Sequence, residues 1–222
     1  MTHSPAPRPA EDHPARVSRK GRHPRPAGID LGVRILALCA DDTGHPVRAW
    51  EGVNALEGAQ RKLRRANRRL ARTKPGSAGR RKAARNVGRL HRRVANLRRD
   101  ALHQLTHWAA THLTELTVED LNVAGMLADR RLALGAADQA MATLRRLLIY
   151  KATWYGTDLV AADRFYPSSK TCSTPGCGHV HAELGRGESH WTCPRCDTGH
   201  DRDHNAAVNL ARWPARNQPK AA

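Results

Sequence analysis

Aromatic residues make up only 4% of this 222-residue chain, and phenylalanine occurs once. That leaves little material for a stacking platform along single-stranded nucleic acid. Long apolar runs are missing too. The longest, Ile35 to Ala40, has six residues, against the roughly 20 that a membrane helix needs. The first 26 residues (MTHSPAPRPAEDHPARVSRKGRHPRP) hold prolines and charges but no apolar segment of a secretory signal. Acid is scarce: 20 Asp+Glu face 38 Lys+Arg, a formal charge of +18. Apolar residues still form 40% of the sequence, enough to build a core. These features predict a basic, soluble, intracellular protein with one large domain or a domain and a small appendage. Its partner is polyanionic, with nucleic acid the first choice. No membrane association and no small-molecule substrate is implied.

The scarcity of acid is local. Residues 61–99 contain 17 Lys+Arg and no Asp or Glu, which leaves the rest of the chain at +1. In that region Leu56, Ala59, Leu63, Ala66 and Leu70 step by three and four residues. After the breaker Thr73-Lys74-Pro75-Gly76-Ser77, the stepping resumes at Ala83, Val87, Leu90, Val94, Leu97, Ala101, Leu105 and Trp108. Narrow apolar stripes on basic helices predict an antiparallel helical hairpin over residues 55–112. Its second arm, Gly79 to His112, would run roughly 50 Å. So many like charges repel unless a polyanion lies along them. The expected nucleic-acid contacts are Arg61, Lys62, Arg64, Arg65, Arg68, Arg69, Arg72, Arg81, Lys82, Arg85, Arg89, Arg92 and Arg93.

Around the hairpin the pattern is that of an α/β domain. Ile29, Leu31 and Val33 alternate, Ile35 to Ala40 runs apolar, and Asp41-Asp42-Thr43-Gly44 breaks before Val47 to Trp50. These read as two or three short antiparallel strands. Leu116 and Val118 form a strand ending at Glu119-Asp120, and Leu159 to Ala162 another. Residues 138–155 read as a helix with Met141, Leu144, Leu148 and Ala152 on one face, and Asp203 to Arg212 as a last one. The order suggests a mixed sheet. Residues 1–26 and 214–222 read as unstructured tails.

Four of the five cysteines crowd into one segment: Cys172 and Cys177 as C-x4-C, then, 15 residues on, Cys193 and Cys196 as C-x2-C. Paired thiolates at this spacing wrap one tetrahedral zinc ion, and four soft ligands with no open position make a structural site. Reduced thiols or two disulfides are the alternatives. His179, His181, His190 and His200 are spare donors that four cysteines make unnecessary. His103 and His107, one turn apart, read as one helix face. Trp191 reads as packing against the knuckle, and the isolated Cys39 as a core residue.

Asp30 sits in an otherwise apolar strand (GIDLG), where an unpaired charge is costly to bury. Glu119 closes the strand LTVE, and Asp203 opens the last helix, DHNAAVNLAR. Three carboxylates meeting in one place repel one another unless divalent cations hold them, and hard Mg²⁺ or Mn²⁺ suits oxygen donors. Isolated acids are common, so these residues alone leave the matter open.

The runs GIDLGVRILALCADDTG, VEDLNVAGM, DRFYPSSKTCSTPGCGHV, WTCPRC and DRDHNAAVNLAR, in this order across residues 28–212, closely resemble the TnpB (OrfB) proteins of insertion sequences. Those proteins are related to the type V CRISPR effectors. The resemblance implies an α/β RuvC-like nuclease domain of RNase H fold over residues 27–170, with the hairpin inserted. A zinc ribbon at 171–199 and a last RuvC motif at 200–213 follow. It puts Asp30, Glu119 and Asp203 on the three acidic motifs, with catalytic Mg²⁺ or Mn²⁺, and Cys172, Cys177, Cys193 and Cys196 on the ribbon's zinc. Asp201 is the rival for Asp203; the family's Asp-x-Asn-Ala favours Asp203. Asn205 is expected to cap or orient its helix, and Asp120 and Asp163 to be ordinary neighbours. The implied activity is metal-dependent DNA cleavage in transposition or recombination, RNA-guided, in a prokaryotic cytoplasm beside the nucleoid. Partners would be DNA and guide RNA. Only 29 residues precede Asp30, where family members carry a large guide-binding module. The expected alternative is therefore a shortened, non-catalytic nucleic-acid-binding remnant that keeps the hairpin and ribbon.

Overall fold

A computed structural model describes residues 20–32, 35–51, 55–120, 141–185 and 187–213. Val33, residues 138–140 of the expected helix, residues 214–222 and residues 1–19 lie outside these.

Three strands, β1 (Ala27–Asp30), β2 (Ile35–Asp41) and β3 (Pro46–Glu51), form the expected antiparallel meander. Its β2–β3 turn is tied by the Asp41 carboxylate. Asp41 Oδ1 accepts from Thr43 N at 2.9 Å, Thr43 Oγ1 at 2.6 Å and His45 N at 2.9 Å, while Gly44 takes φ +96°. Two more strands, β4 (Glu115–Glu119) and β5 (Asp158–Ala162), join in parallel, giving the order β3-β2-β1-β4-β5. The sheet is mixed, as the sequence suggests.

Among the described residues four helices accompany it: α1 (Ala55–Ala71), α2 (Ala78–His112), α3 (Met141–Tyr155) and α4 (Arg202–Ala211). Side chains alternate across a strand, so each sheet face receives its own helices. Ile29, Cys39, Leu116 and Val118 join Leu102, Leu105 and Ala109 of α2 and Leu144 and Leu148 of α3 in the main core. On the other face Leu38 and Ala40 pack with Ala207 and Val208 of α4. Gly28, with no side chain, lets α4 lie directly on β1.

The helices α1 and α2 pack along each other around Leu63, Ala66, Ala83 and Val94. Between them Gly76 adopts φ +78°, and Ser77 Oγ caps α2 by accepting from Arg80 N at 3.1 Å. The Arg80 guanidinium turns back to donate to the carbonyls of Leu70 and Thr73, both at 3.3 Å, closing the end of α1. At 35 residues α2 is roughly 50 Å long.

One reading needs correction. Part of the N-terminal stretch expected to lack structure is firmly seated. Arg22 is 6% exposed, and its guanidinium donates to the carbonyls of Leu113 (3.2 Å) and Tyr155 (2.5 Å) and to Thr157 Oγ1 (3.1 Å). His23 adds a backbone bridge to the His112–Thr114 segment. Basic composition hid a buried arginine whose guanidinium donates to the carbonyls of Leu113 and Tyr155, the former shared with Thr157 Oγ1 at 3.0 Å.

Candidate active site

Asp30 is the last residue of β1 and Glu119 the last of β4. The two strands are parallel neighbours with Ile29 opposite Val118, so the carboxylates stand side by side at one end of the sheet. Asp203 comes in on the first turn of α4, where the helix dipole favours negative charge. The three line a single cavity of about 340 Å³, with Gly32, Ser169, Glu188 and Arg202 also in its wall. Asp30 keeps an opening to this cavity, yet its carboxyl is enclosed by protein. Burial, then Glu119, then Asp203, hold it well above the ordinary carboxylate range, and Arg202 opposes them.

Glu119 is raised as well, by burial, against the lowering effects of Ser168 and Arg202. The Ser168 hydroxyl donates to Glu119 Oε1. Ser168 is 2% exposed and belongs to the segment between β5 and the first cysteine. Two buried amides of α4 fasten that segment. Asn205 Nδ2 donates to the carbonyls of Ser168 (3.2 Å) and Thr171 (2.7 Å), and Asn209 Nδ2 to the same two at 2.8 and 2.6 Å. Asn205 Oδ1 accepts from Ser173 N at 2.9 Å. Asn205 therefore does not cap its helix. Asp201 does, accepting from His204 N at 2.9 Å, which leaves Asp203 as the acid of that pair lining the cavity.

Sequence reasoning gave no role to Ser168, Arg202 or Asn209, although Ser168 stands inside the quoted DRFYPSSK run. Asp120 pairs outward with Arg145 at 2.6 Å and Arg164 at 2.7 Å, and Asp163 accepts from Phe165 N at 2.8 Å. Both are neighbours of the site, as expected.

The four clustered cysteines bring their sulfurs within 4.8 Å of one another. Cys172 and Cys196 lie 3.6 Å apart and Cys177 and Cys193 3.8 Å. A tetrahedral zinc with bonds of about 2.3 Å would set its sulfurs about 3.8 Å apart, whereas a disulfide needs about 2.0 Å. The donor set fits a metal such as zinc. Without a cation the thiols resist ionising together: burial pushes Cys172 up to about 12, while the Thr198 hydroxyl and backbone bring Cys196 down to about 6. Two short strands, β6 (His190–Thr192) and β7 (Gly199–Asp201), form an antiparallel pair around the second thiol pair. Trp191 packs with Leu184 against Cys172 and Cys193, as read from the sequence. Of the spare histidines, His200 places Nε2 3.1 Å from Cys172 Sγ. His107 leans on the Tyr155 ring, with centroids 5.3 Å apart.

All thirteen basic residues singled out on the hairpin are exposed. Arg69, Lys82, Arg85, Arg89 and Arg92 line a groove of about 710 Å³ between the two helices.

Residues 11–130, more than half of the chain, match the OrfB_IS605 family, described as "Probable transposase". The chain belongs to this family. Residues 142–210 of this OrfB_IS605 chain also match the "Cas12f1-like, TNB domain". A Mycobacterium tuberculosis protein named "Putative RNA-guided DNA endonuclease" is 43% identical over 192 residues, 84% of this chain and 41% of its own length. The Escherichia coli protein named "Putative RNA-guided DNA endonuclease InsQ" is 32% identical over 198 residues, 82% of this chain and 47% of its own. The chain thus spans less than half the length of these curated relatives. A cryo-EM structure of a Cas12f1-sgRNA-target DNA complex aligns with 90% of this chain and 52% of the Cas12f1 chain, with TM-score 0.58 and 19% identity. That likeness is one of fold. The resemblance to TnpB (OrfB) proteins read from the motifs agrees with the family match and with the relatives.

Proposed function

We propose that this chain carries a RuvC-like, divalent-metal-dependent endonuclease site that cuts DNA phosphodiesters in transposition or recombination, directed by a guide RNA. The observation that carries this reading is the meeting of Asp30, Glu119 and Asp203, far apart in sequence, in one cavity beside Arg202. Asp30, Glu119 and Asp203 would hold Mg²⁺ or Mn²⁺ through hard oxygen donors, offsetting the burial and the repulsion that together raise the Asp30 carboxyl. Such ions, when bound, activate water and stabilise the attacking and leaving oxygens of a phosphodiester.

The chain's own residues do the rest. Ser168 fixes the Glu119 carboxylate by occupying Oε1, and the Asn205 and Asn209 amides fix Ser168. Arg202 puts positive charge beside the acids, where it also attracts the phosphate. Zinc held by Cys172, Cys177, Cys193 and Cys196 shapes the ribbon structurally. The exposed arginines of α1 and α2 supply salt-dependent backbone binding, for DNA and for guide RNA.

The test is incubation of the full chain with single-stranded DNA and Mg²⁺ or Mn²⁺, with EDTA as control. Metal-dependent products that vanish in Asp30→Ala and Asp203→Ala support the reading. Cutting left unchanged by both variants removes the assignment of the acids.

A second reading, binding without cutting, is favoured by the hairpin groove, whose arginines are built independently of the carboxylates. It expects salt-sensitive retardation of DNA and RNA in gels and no metal-dependent product.

A further inference from the structure

The sole phenylalanine, Phe165, is 87% exposed, the most exposed of the large apolar side chains among the described residues. Its place in the chain gives that exposure meaning. The loop bearing it leaves β5 at Ala162, which is opposite Glu119 in the sheet, and returns to Glu119 at Ser168, whose hydroxyl donates to the same carboxylate. Both ends of the loop are therefore anchored at one acid of the proposed metal site. Phe165 lies three residues from either anchor, at most about 11 Å of chain, or roughly three stacked nucleotides at 3.4 Å each.

Every neighbour in this loop is engaged elsewhere. Arg164 forks Asp120 through Nε at 3.2 Å and Nη2 at 2.7 Å. Asp163 Oδ1 and its carbonyl accept from Phe165 N (2.8 Å) and Tyr166 N (3.0 Å). The Tyr166 ring packs on Trp213 with centroids 4.6 Å apart. The backbone under Phe165 is thus held in a defined turn, and the ring is the one large apolar side chain of the loop presented to solvent. An apolar ring of this size held out in water beside an anionic-substrate site has the chemistry of a base-stacking platform, since every nucleobase offers it a π-face.

We infer that Phe165 stacks on an unpaired base of the DNA strand as it enters the carboxylate cavity, making single-stranded character next to the cut a requirement of the site. This rests on the endonuclease reading for its location, but base stacking is measurable without cleavage. Phe165 is a positioning residue. It touches the strand beside the reacting phosphodiester and supplies no group to the reaction.

The probe is a set of single-stranded oligonucleotides carrying 2-aminopurine at successive positions, added to the full chain in Ca²⁺ and then in Mg²⁺. In Ca²⁺, quenching at one position is expected with the wild type and with Phe165→Trp, and its loss with Phe165→Ala. In Mg²⁺, Phe165→Ala is expected to raise KM about 5- to 100-fold with little change in kcat, and Phe165→Trp to restore it. Position-specific quenching in a protein that never cuts upholds the stacking site and counts against the nuclease reading alone. Quenching equal in wild type and Phe165→Ala overturns the stacking site, whether or not the protein cuts.

Discussion

Gly28 and Ala207 approach more closely than any side chain allows: a Cβ built on Gly28 would lie 2.1 Å from the Ala207 carbonyl oxygen and 2.4 Å from Ala211 N. Both obstacles are backbone of α4, so neither can swing aside. Gly28→Ala must lift the helix that carries Asp203. Overpacking of this kind costs about 1–3 kcal/mol, so the melting temperature should drop and metal-dependent cutting should fall with it. A variant that melts and cuts like the wild type refutes the close seating of α4 on β1.

Ser168 is held by its carbonyl and acts through its hydroxyl, so the two roles can be separated. Ser168→Ala keeps the Asn205 and Asn209 bonds to the carbonyl and removes only the bond to Glu119. Hydrogen bonds to charged groups contribute about 1.5–3 kcal/mol, so kcat should fall roughly 10- to 100-fold, with DNA affinity unchanged. Loss of affinity instead would show that Ser168 serves binding.

Asp30 makes the metal-free fold sensitive to pH. Its folded pKa is raised well above the ordinary carboxylate range, first by burial and then by Glu119 and Asp203. The unfolded chain therefore sheds that proton before the folded chain does, and stability declines as pH climbs from the ordinary carboxylate value through the raised one. Asp30→Asn removes the decline. In EDTA it should melt above the wild type at pH 7, with the gap closing towards pH 4, and Mg²⁺ should raise the wild type alone. A gap of the same size at both pH values rules out a strained carboxyl.

Charge on the hairpin predicts a salt dependence that can be dissected. Replacing Arg85, Arg89 and Arg92 by Gln should flatten the slope of log K against log salt by about 2–3 on duplex DNA. Asp30→Ala should leave that slope untouched. A triple variant with the wild-type slope would place the phosphate contacts elsewhere.

The cysteine knuckle should bind one zinc per chain, and Trp191, 7% exposed against it, reports its integrity. Cys193→Ser or a strong chelator should release the metal and shift tryptophan emission to the red. Emission that stays put after complete zinc release means the knuckle folds without metal.

The strands, the mixed sheet and α2 to within a residue of its start were legible because hydrophobic periodicity and turn chemistry are local signals. Glu119 and Asp203 stand out in the sequence by their places at a strand end and a helix start, but only motif resemblance groups them with Asp30. Nothing in the spacing of residues 30, 119 and 203 says that β1 and β4 become neighbours. Arg22, Ser168 and Asn209 were illegible for a related reason: each is a polar residue whose partners are carbonyls or a carboxylate distant in sequence, and composition scores it as surface. The apolar stripe of α2 was only half read. Leu102 and Ala109 are buried because that end of the helix meets both the sheet and α3, which widens the buried face beyond a simple stripe.

That division of α2 has a mechanical consequence. One uninterrupted helix is wedged into the core at its Leu102–Ala109 end, while its Ala78 end stands out with α1. With no proline to hinge it, the rod transmits force as a lever does, with a long outer arm and a short inner one. On the proposed reading, a strand drawn along the outer arginines would pull at the far end of that lever, and the torque would arrive where α2 bears on the sheet whose strands carry Asp30 and Glu119.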